Sequence, residues 1–129
     1  MIVGIGLSDY PKAPHLDGVQ HHVLAAQRAI ADAGIAKADI DGYVGAGGSG
    51  GGDMVDGAIA MAEYLGIDHR YLDGTHTGGS SFEFHVQHLA SAIRNGLCDT
   101  ALVTYGSNQL SRMGRALGTG GMHRGPARI

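Results

Sequence analysis

The stretch Arg70 to Ser107, RYLDGTHTGGSSFEFHVQHLASAIRNGLCDTALVTYGS, runs through a β-prone segment, a glycine-rich turn, an amphipathic segment, a glycine stop and a second β-prone segment. Phe82, Val86, Leu89 and Ile93 recur at i, i+4, i+7 and i+11, one apolar stripe at the helical period, which predicts a helix. Ser80 or Ser81 can cap its start, and Gly96 stands where a left-handed C′ residue is expected. Thr100 to Tyr105 (TALVTY) has too few polar residues for an exposed strand and predicts a buried one. The whole is a βαβ unit whose entry turn, Gly78-Gly79-Ser80-Ser81, leaves backbone N–H groups free at a helix start. An oxyanion, carboxylate or phosphate is stabilised at such a place by those donors and by the helix dipole.

Outward from that unit the same alternation repeats. Met1 to Ile5 predicts a short apolar strand, and Pro11 and Pro14 then interrupt regular structure until Asp17, a helix cap. Val19, Val23, Ala26, Ile30 and Ala33 follow the helical period and Gly34 stops it, so that helix should lay one face on a sheet. Gly42 to Ala46 predicts a second strand, Gly47 to Gly52 a loop, and Asp53 a cap for a helix from Met54 to about Leu65 ended by Gly66. Arg70 to Asp73 is then a third strand. Four strands alternating with three helices predict an α/β fold with a mostly parallel sheet and packed helices.

Composition excludes several classes of function. A formal net charge of -3 with mixed signs offers no basic stripe for nucleic acid or an anionic membrane. No apolar run reaches spanning length and the N-terminus lacks a signal-peptide pattern, so the expected location is cytoplasmic. The one cysteine, Cys98, rules out an internal disulfide framework and is read as a packing residue two positions ahead of a buried strand. The Gly47 to Gly52 run lacks the Lys-Ser/Thr pair of a phosphate loop and is followed by Asp53, whose carboxylate repels phosphate. Gly4-Ile5-Gly6 has no third glycine opening a helix, so no dinucleotide fingerprint is present.

Among eight histidines, His85 and His88 lie three apart on one side of the predicted helix, and His21 and His22 are adjacent near the start of another. No cysteine pair or HExxH spacing accompanies them, so no metal site is expected and they read as solvated or interface histidines. His76 stands just before the helix-entry turn, where an imidazole can hydrogen-bond a substrate carbonyl or Ser80. Asp73 and Glu83 are the available carboxylates, with nothing in their spacing to bring them together.

The strand, glycine-rich turn, long helix, Gly-Leu-Cys-Asp and strand ending in Tyr105-Gly106-Ser107 resemble the nucleophile region of the thiolase superfamily. The opening Ile2 to Tyr10 and the run Ala29 to Gly42 are similar to the sterol-carrier-protein-type, or lipid-transfer, branch, so the resemblance covers nearly the whole chain. It implies the N-terminal half of a thiolase-like fold, a coenzyme A thioester as substrate and no permanently bound cofactor. A thiolase places its nucleophilic cysteine at the turn before this helix. Here Gly79 takes that slot without gaps, Ser80 with a one-residue shift and His76 with a three-residue gap, and none supplies a thiol. The cysteine-free Gly-Gly-Ser pattern resembles thiolase-like retro-aldolases that shorten acyl-CoA side chains with a small zinc-ribbon and OB-fold partner. The resemblance therefore implies acyl transfer or cysteine-independent carbon–carbon cleavage in lipid or sterol side-chain metabolism, with His76, Gly79 and Ser80 as the candidate catalytic positions.

Thiolase-like subunits have two similar halves and are roughly threefold longer than this chain, beyond the usual size of one domain. The expectation is thus a truncated or split polypeptide, inactive alone, in which residues 107–129 form a loop without its continuation. The competing expectation is a non-catalytic subunit that forms a homodimer or pairs with another thiolase-like chain. Such subunits dimerise through the strand next to the turn, which implies an open sheet edge and an exposed apolar helix face.

Overall fold

A computed structural model describes residues 1–46, 57–108, 110 and 111. Helix α1 spans Gly18–Ala33, strand β1 Gly42–Gly45, helix α2 Gly57–Leu65, strand β2 Tyr71–Asp73, helix α3 Ser81–Arg94 and strand β3 Ala101–Thr104. Short 3₁₀ turns, Lys37–Asp39 and Gly78–Ser80, precede β1 and α3. The sheet is three-stranded and parallel, in the order β2-β1-β3. The expected loop at Gly47 to Gly52, the Asp53 cap and, of the expected loop at 107–129, all but residues 107, 108, 110 and 111 lie outside the described residues.

Local chemistry places the helix ends. Asp17 caps α1 by accepting from Gln20 N while the Gln20 side chain accepts from Asp17 N, a reciprocal capping box. Gly34, at φ 66°, closes α1 in the left-handed region. At the end of α3 the Leu97 N–H bonds Ala92 O and the Gly96 N–H bonds Ile93 O, with Gly96 at φ 69°. That is a Schellman cap, and a side chain at Gly96 would be strained.

One carboxylate ties the three strand entries together. Asp41 Oδ1 accepts from Asp99 N at 2.8 Å and Thr100 N at 2.9 Å, and Oδ2 from Arg70 Nη1 at 3.0 Å. Its backbone carbonyl accepts from Arg70 N and Tyr71 N, and its N–H donates to Thr100 O. Desolvation would raise the Asp41 pKa, but the backbone donors of Thr100 and Asp99 and the Arg70 guanidinium together hold it below the ordinary aspartate value.

The core lies on one face of the sheet, where Tyr43 and Leu102 pack with Ala26 of α1, Ala58, Met61 and Ala62 of α2, and Ile40 and Ile67. Val44, fully buried next to Tyr43, belongs by strand alternation to the opposite face, which α3 covers. Within the first layer the Tyr43 hydroxyl lies 2.7 Å from Thr104 Oγ1, which lies 2.6 Å from His22 Nδ1. Burial pushes the Tyr43 phenol up to about 12, and burial with the neighbouring His21 pushes His22 down to about 4.

The expected first strand is corrected. Met1 to Leu7 is extended but pairs with no strand among the described residues. Its glycines face α1: a Cβ on Gly4 would strike the Ala29 carbonyl, and one on Gly6 the Ala25 carbonyl. Val3, Ile5 and Leu7 point outward and are exposed. The apolar run at Met1 to Ile5 does not become a strand, because pairing needs a neighbour that a local pattern cannot supply. Among the described residues the sheet therefore has three strands where four were expected.

His22 makes stability acid-sensitive. The native ring stays neutral to about pH 4, whereas the unfolded ring takes its proton near 6.5, so the unfolded state binds more protons between those values. Unfolding free energy should fall by on the order of 3 kcal/mol as pH drops from 6.5 to 4. Urea denaturation across that window should show the slope, and His22→Gln should remove most of it.

Candidate functional site

The turn between β2 and α3 stands at the carboxyl end of the sheet, where open α/β folds bind ligands. It is held from below by a polar network. Asp73 ends β2, and its Oδ1 accepts from Thr75 N and Thr75 Oγ1, each at 2.8 Å. The other oxygen, Oδ2, lies 2.5 Å from His88 Nδ1. Desolvation pushes the Asp73 pKa up, but His88 and Thr75 outweigh it and hold the carboxyl below its usual value. Thr75 O accepts from His85 Nε2 at 2.7 Å. That bond assigns the His85 proton to Nε2, which leaves the buried Nδ1 as a lone pair with no partner among the described residues.

The next link is Ser81. Its hydroxyl accepts from Thr77 N at 2.9 Å and donates to Gly78 O at 2.7 Å, and the residue is fully buried. Gly78, at φ 82°, adopts the left-handed conformation that lets the chain double back over Ser81. Ser80 occupies the cap position of α3 without a side-chain cap bond, so neither serine caps the helix as expected: Ser81 is spent inside the turn and Ser80 faces solvent. The N–H groups of Gly78 to Ser80 open the helical run and have no carbonyl one turn earlier to bond.

His76, Gly79 and Ser80 are therefore brought together on one exposed turn. Among the described residues no hydrogen bond joins His76 to Ser80, the contact that would let the imidazole activate the hydroxyl. A Cβ at Gly79 would meet nothing within 4 Å, and Gly79 lacks the positive φ of its neighbour. Gly79 thus has room for a side chain and carries none. Cys98, the chain's only thiol, is buried at the opposite, amino end of the strands against Gly42. Burial, reinforced by Asp41, pushes its pKa up, as suits packing and not nucleophilic attack.

Of the histidines expected to be solvated or at an interface, His21, His22 and His85 are buried within the chain, and His21 Nδ1 lies 2.8 Å from Ser8 Oγ. Asp73 finds its partner in His88, not Glu83. The His88–Asp73 pair escaped sequence reasoning because the two are fifteen positions apart, although strand end to second helical turn is the separation at which a βα unit folds back on itself. Among the described residues no three His, Cys, Asp or Glu side chains form a metal-holding group. Among them, too, no helix is long and apolar enough to cross a membrane.

Comparison with known proteins adds a chemical context to this geometry. No family model matches the chain. It is 31% identical over 114 residues to a 17-hydroxy-3-oxo-4-pregnene-20-carboxyl-CoA lyase of Mycobacterium tuberculosis (strain ATCC 25618 / H37Rv), an alignment covering 87% of this chain. The fold superposes on a chain of the solved Ltp2-ChsH2(DUF35) aldolase with a TM-score of 0.71 and 25% identity over 97% of this chain. Both likenesses point to an acyl-CoA lyase and an aldolase. The chain spans 28% of the length of the lyase and 30% of that of the aldolase chain.

Three substitutions test the construction of the turn. Ser81→Ala should cost about 1–3 kcal/mol in urea unfolding, because it leaves Thr77 N and Gly78 O without their shared partner, whereas Ser80→Ala should stay within about 0.5 kcal/mol. Gly79→Cys should fold as the parent does and give a thiol that reacts at once with a disulfide reagent in native buffer, while Cys98 reacts only on unfolding.

Proposed function

We propose that this chain supplies the helix-entry turn of a thiolase-like enzyme that cleaves a carbon–carbon bond in an acyl-CoA thioester without a cysteine nucleophile. The observation that carries the reading is the turn itself: exposed, with N–H groups unpaired among the described residues, with room for a side chain at Gly79, and without a thiol. The 31% identity to a carboxyl-CoA lyase and the likeness to an aldolase support cleavage over acyl transfer.

The chemistry is that of a retro-aldol. A base removes the proton of a β-hydroxyl group, the hydroxyl carbon becomes a carbonyl, and the Cα–Cβ electron pair moves into the thioester to form an enolate. The enolate oxygen gains negative charge, and N–H donors at a helix start stabilise that charge more than the neutral carbonyl before it. Protonation at Cα, with His76 beside the turn as donor, releases the shortened acyl-CoA. The base that takes the hydroxyl proton belongs to the remainder of a thiolase-like subunit or to a small zinc-ribbon and OB-fold partner, and the substrate class is a lipid or sterol side chain.

Acyl-CoA titrated by calorimetry into the purified chain, alone and with the candidate downstream polypeptide, tests the reading. Binding that needs the added chain, and conversion of a β-hydroxyacyl-CoA to a shorter acyl-CoA plus a carbonyl product that resists iodoacetamide, are the expected outcomes. In the complete enzyme His76→Gln should lower kcat by about 10²-fold, and Ser80→Ala should leave it within a few-fold. A loss of several orders of magnitude on Ser80→Ala would make that serine a nucleophile and overturn the mechanism.

A further inference from the structure

Three polar side chains of α3 meet the segment that leads from β2 to the turn, and they meet it in a regular order. His88 Nδ1 contacts Asp73 Oδ2, His85 Nε2 donates to Thr75 O, and Ser81 Oγ accepts from Thr77 N. Positions fall through 88, 85 and 81 on the helix as they rise through 73, 75 and 77 on the segment. Seven helical residues advance about 10 Å and four residues of chain reach about 13 Å at full extension, so the two runs keep step over all three contacts.

His76 lies between the contacts at Thr75 and Thr77, which hold it from both sides. A peptide unit is planar, so the Thr75 carbonyl and the His76 N–H move as one body, and the His76 carbonyl and the Thr77 N–H as another. His85 holds the first plane through Thr75 O at 2.7 Å, and Ser81 holds the second through Thr77 N at 2.9 Å. The soft angles between the two planes are φ and ψ of His76, and both are thereby fixed. With them set, the Cα–Cβ bond has one direction and only the side-chain torsions of His76 stay free. Asp73 Oδ1 secures the preceding peptide by accepting from Thr75 N. No backbone–backbone hydrogen bond of the turns and loops involves Thr75 or His76 among the described residues, so side chains do the holding.

Ser81 and His85 stand where packing alone would favour apolar residues. Both are fully buried, on the same inward row of α3 as Leu89 and Ala92. A hydroxyl and an imidazole are tolerated there because the segment supplies their partners. His85 also keeps its Nδ1 without a partner among the described residues, a burden that an apolar side chain would avoid. His76, by contrast, is exposed.

We propose that Ser81 and His85 are positioning residues for His76: from the buried row of α3 they lock its two flanking peptide planes and so aim its Cα–Cβ bond beside the N–H groups of the turn. The clamp stands on geometry alone, whereas its effect on proton transfer rests on the acyl-CoA reading above.

Nuclear magnetic resonance on the isotope-labelled 129-residue chain reads the clamp without any substrate. In the parent chain the Thr77 amide should exchange with solvent at least about tenfold more slowly than the His76 amide, and the neutral His85 ring should carry its proton on Nε2. A proton on Nδ1, or a Thr77 amide as fast as that of His76, overturns the proposal. The backbone order parameter of His76 should be about 0.8 in the parent and below about 0.6 in Ser81→Ala and in His85→Leu, while α3 from Leu89 onward stays rigid. His85→Gln, which keeps an N–H donor at the reach of Nε2, should recover the parental value. In the complete enzyme Ser81→Ala and His85→Leu should each lower kcat by about tenfold with KM little changed, and H76Q/H85L should be no slower than His76→Gln alone, because a residue that acts through His76 then has nothing to act on. Equal losses with and without the His76 imidazole would make the pair merely structural and overturn its positioning role. If His76→Gln leaves kcat unchanged, the proton-donor reading fails, and amide exchange and order parameters decide the clamp by themselves.

Discussion

The carboxylate of Asp41 is the interaction on which the sheet depends. Parallel strands have no hairpin to set their register, so something must align chain segments that arrive from far apart in sequence. Asp41 does this at the amino end of the sheet, taking backbone N–H donors from the entry to β3 and a guanidinium donor from the entry to β2 while its own backbone pairs with both. The opposite end carries a second polar tie, Tyr43 to Thr104 to His22, which joins β1, β3 and α1. Between the two ties the apolar core is small, and several of its members are alanines. Directional bonds to a few polar atoms thus supply alignment that non-directional burial cannot.

The same economy explains the turn. Asp73, Thr75, His85 and His88 form a polar platform under the start of α3, and Ser81 closes the turn above it. Everything polar that faces inward is spent on holding shape, apart from the lone pair of His85 Nδ1. His76, Gly79 and Ser80 face outward. A rigid loop that presents unpaired donors is the arrangement that electrostatic stabilisation of a developing charge requires.

Much of this was legible in the residues. Asp17 with Gln20, Gly34, Gly66 and Gly96 mark the helix ends where they occur, and Gly42, Arg70 and Thr100 lie within a residue of the three strand starts. The Gly78 to Ser81 turn was readable as a helix entry with free donors. The assignment of the two serines was not, since either could cap by the usual preference and the choice fell to a bond between Ser81 and Gly78 O. Nor were the histidine partners legible, because each lies on another element: Thr104 for His22, Thr75 for His85, Asp73 for His88.

Caps, left-handed glycines and hydrophobic period act within a few residues, so the chain's own order of side chains settled which segments became helices and strands and where they stopped. Tertiary structure alone decided which faces meet. Helix α3 turns Ser81, His85, Leu89 and Ala92 inward and leaves Val86 and Ile93 exposed, and Thr75 and Asp73 bond His85 and His88 once β2 is in place. The N-terminal run of alternating glycine and apolar residues is extended by its own pattern, but it lies on α1 through Gly4 and Gly6 instead of entering the sheet. Burying a polar group is favourable only when its partner is already positioned, and that condition is set by residues distant in sequence.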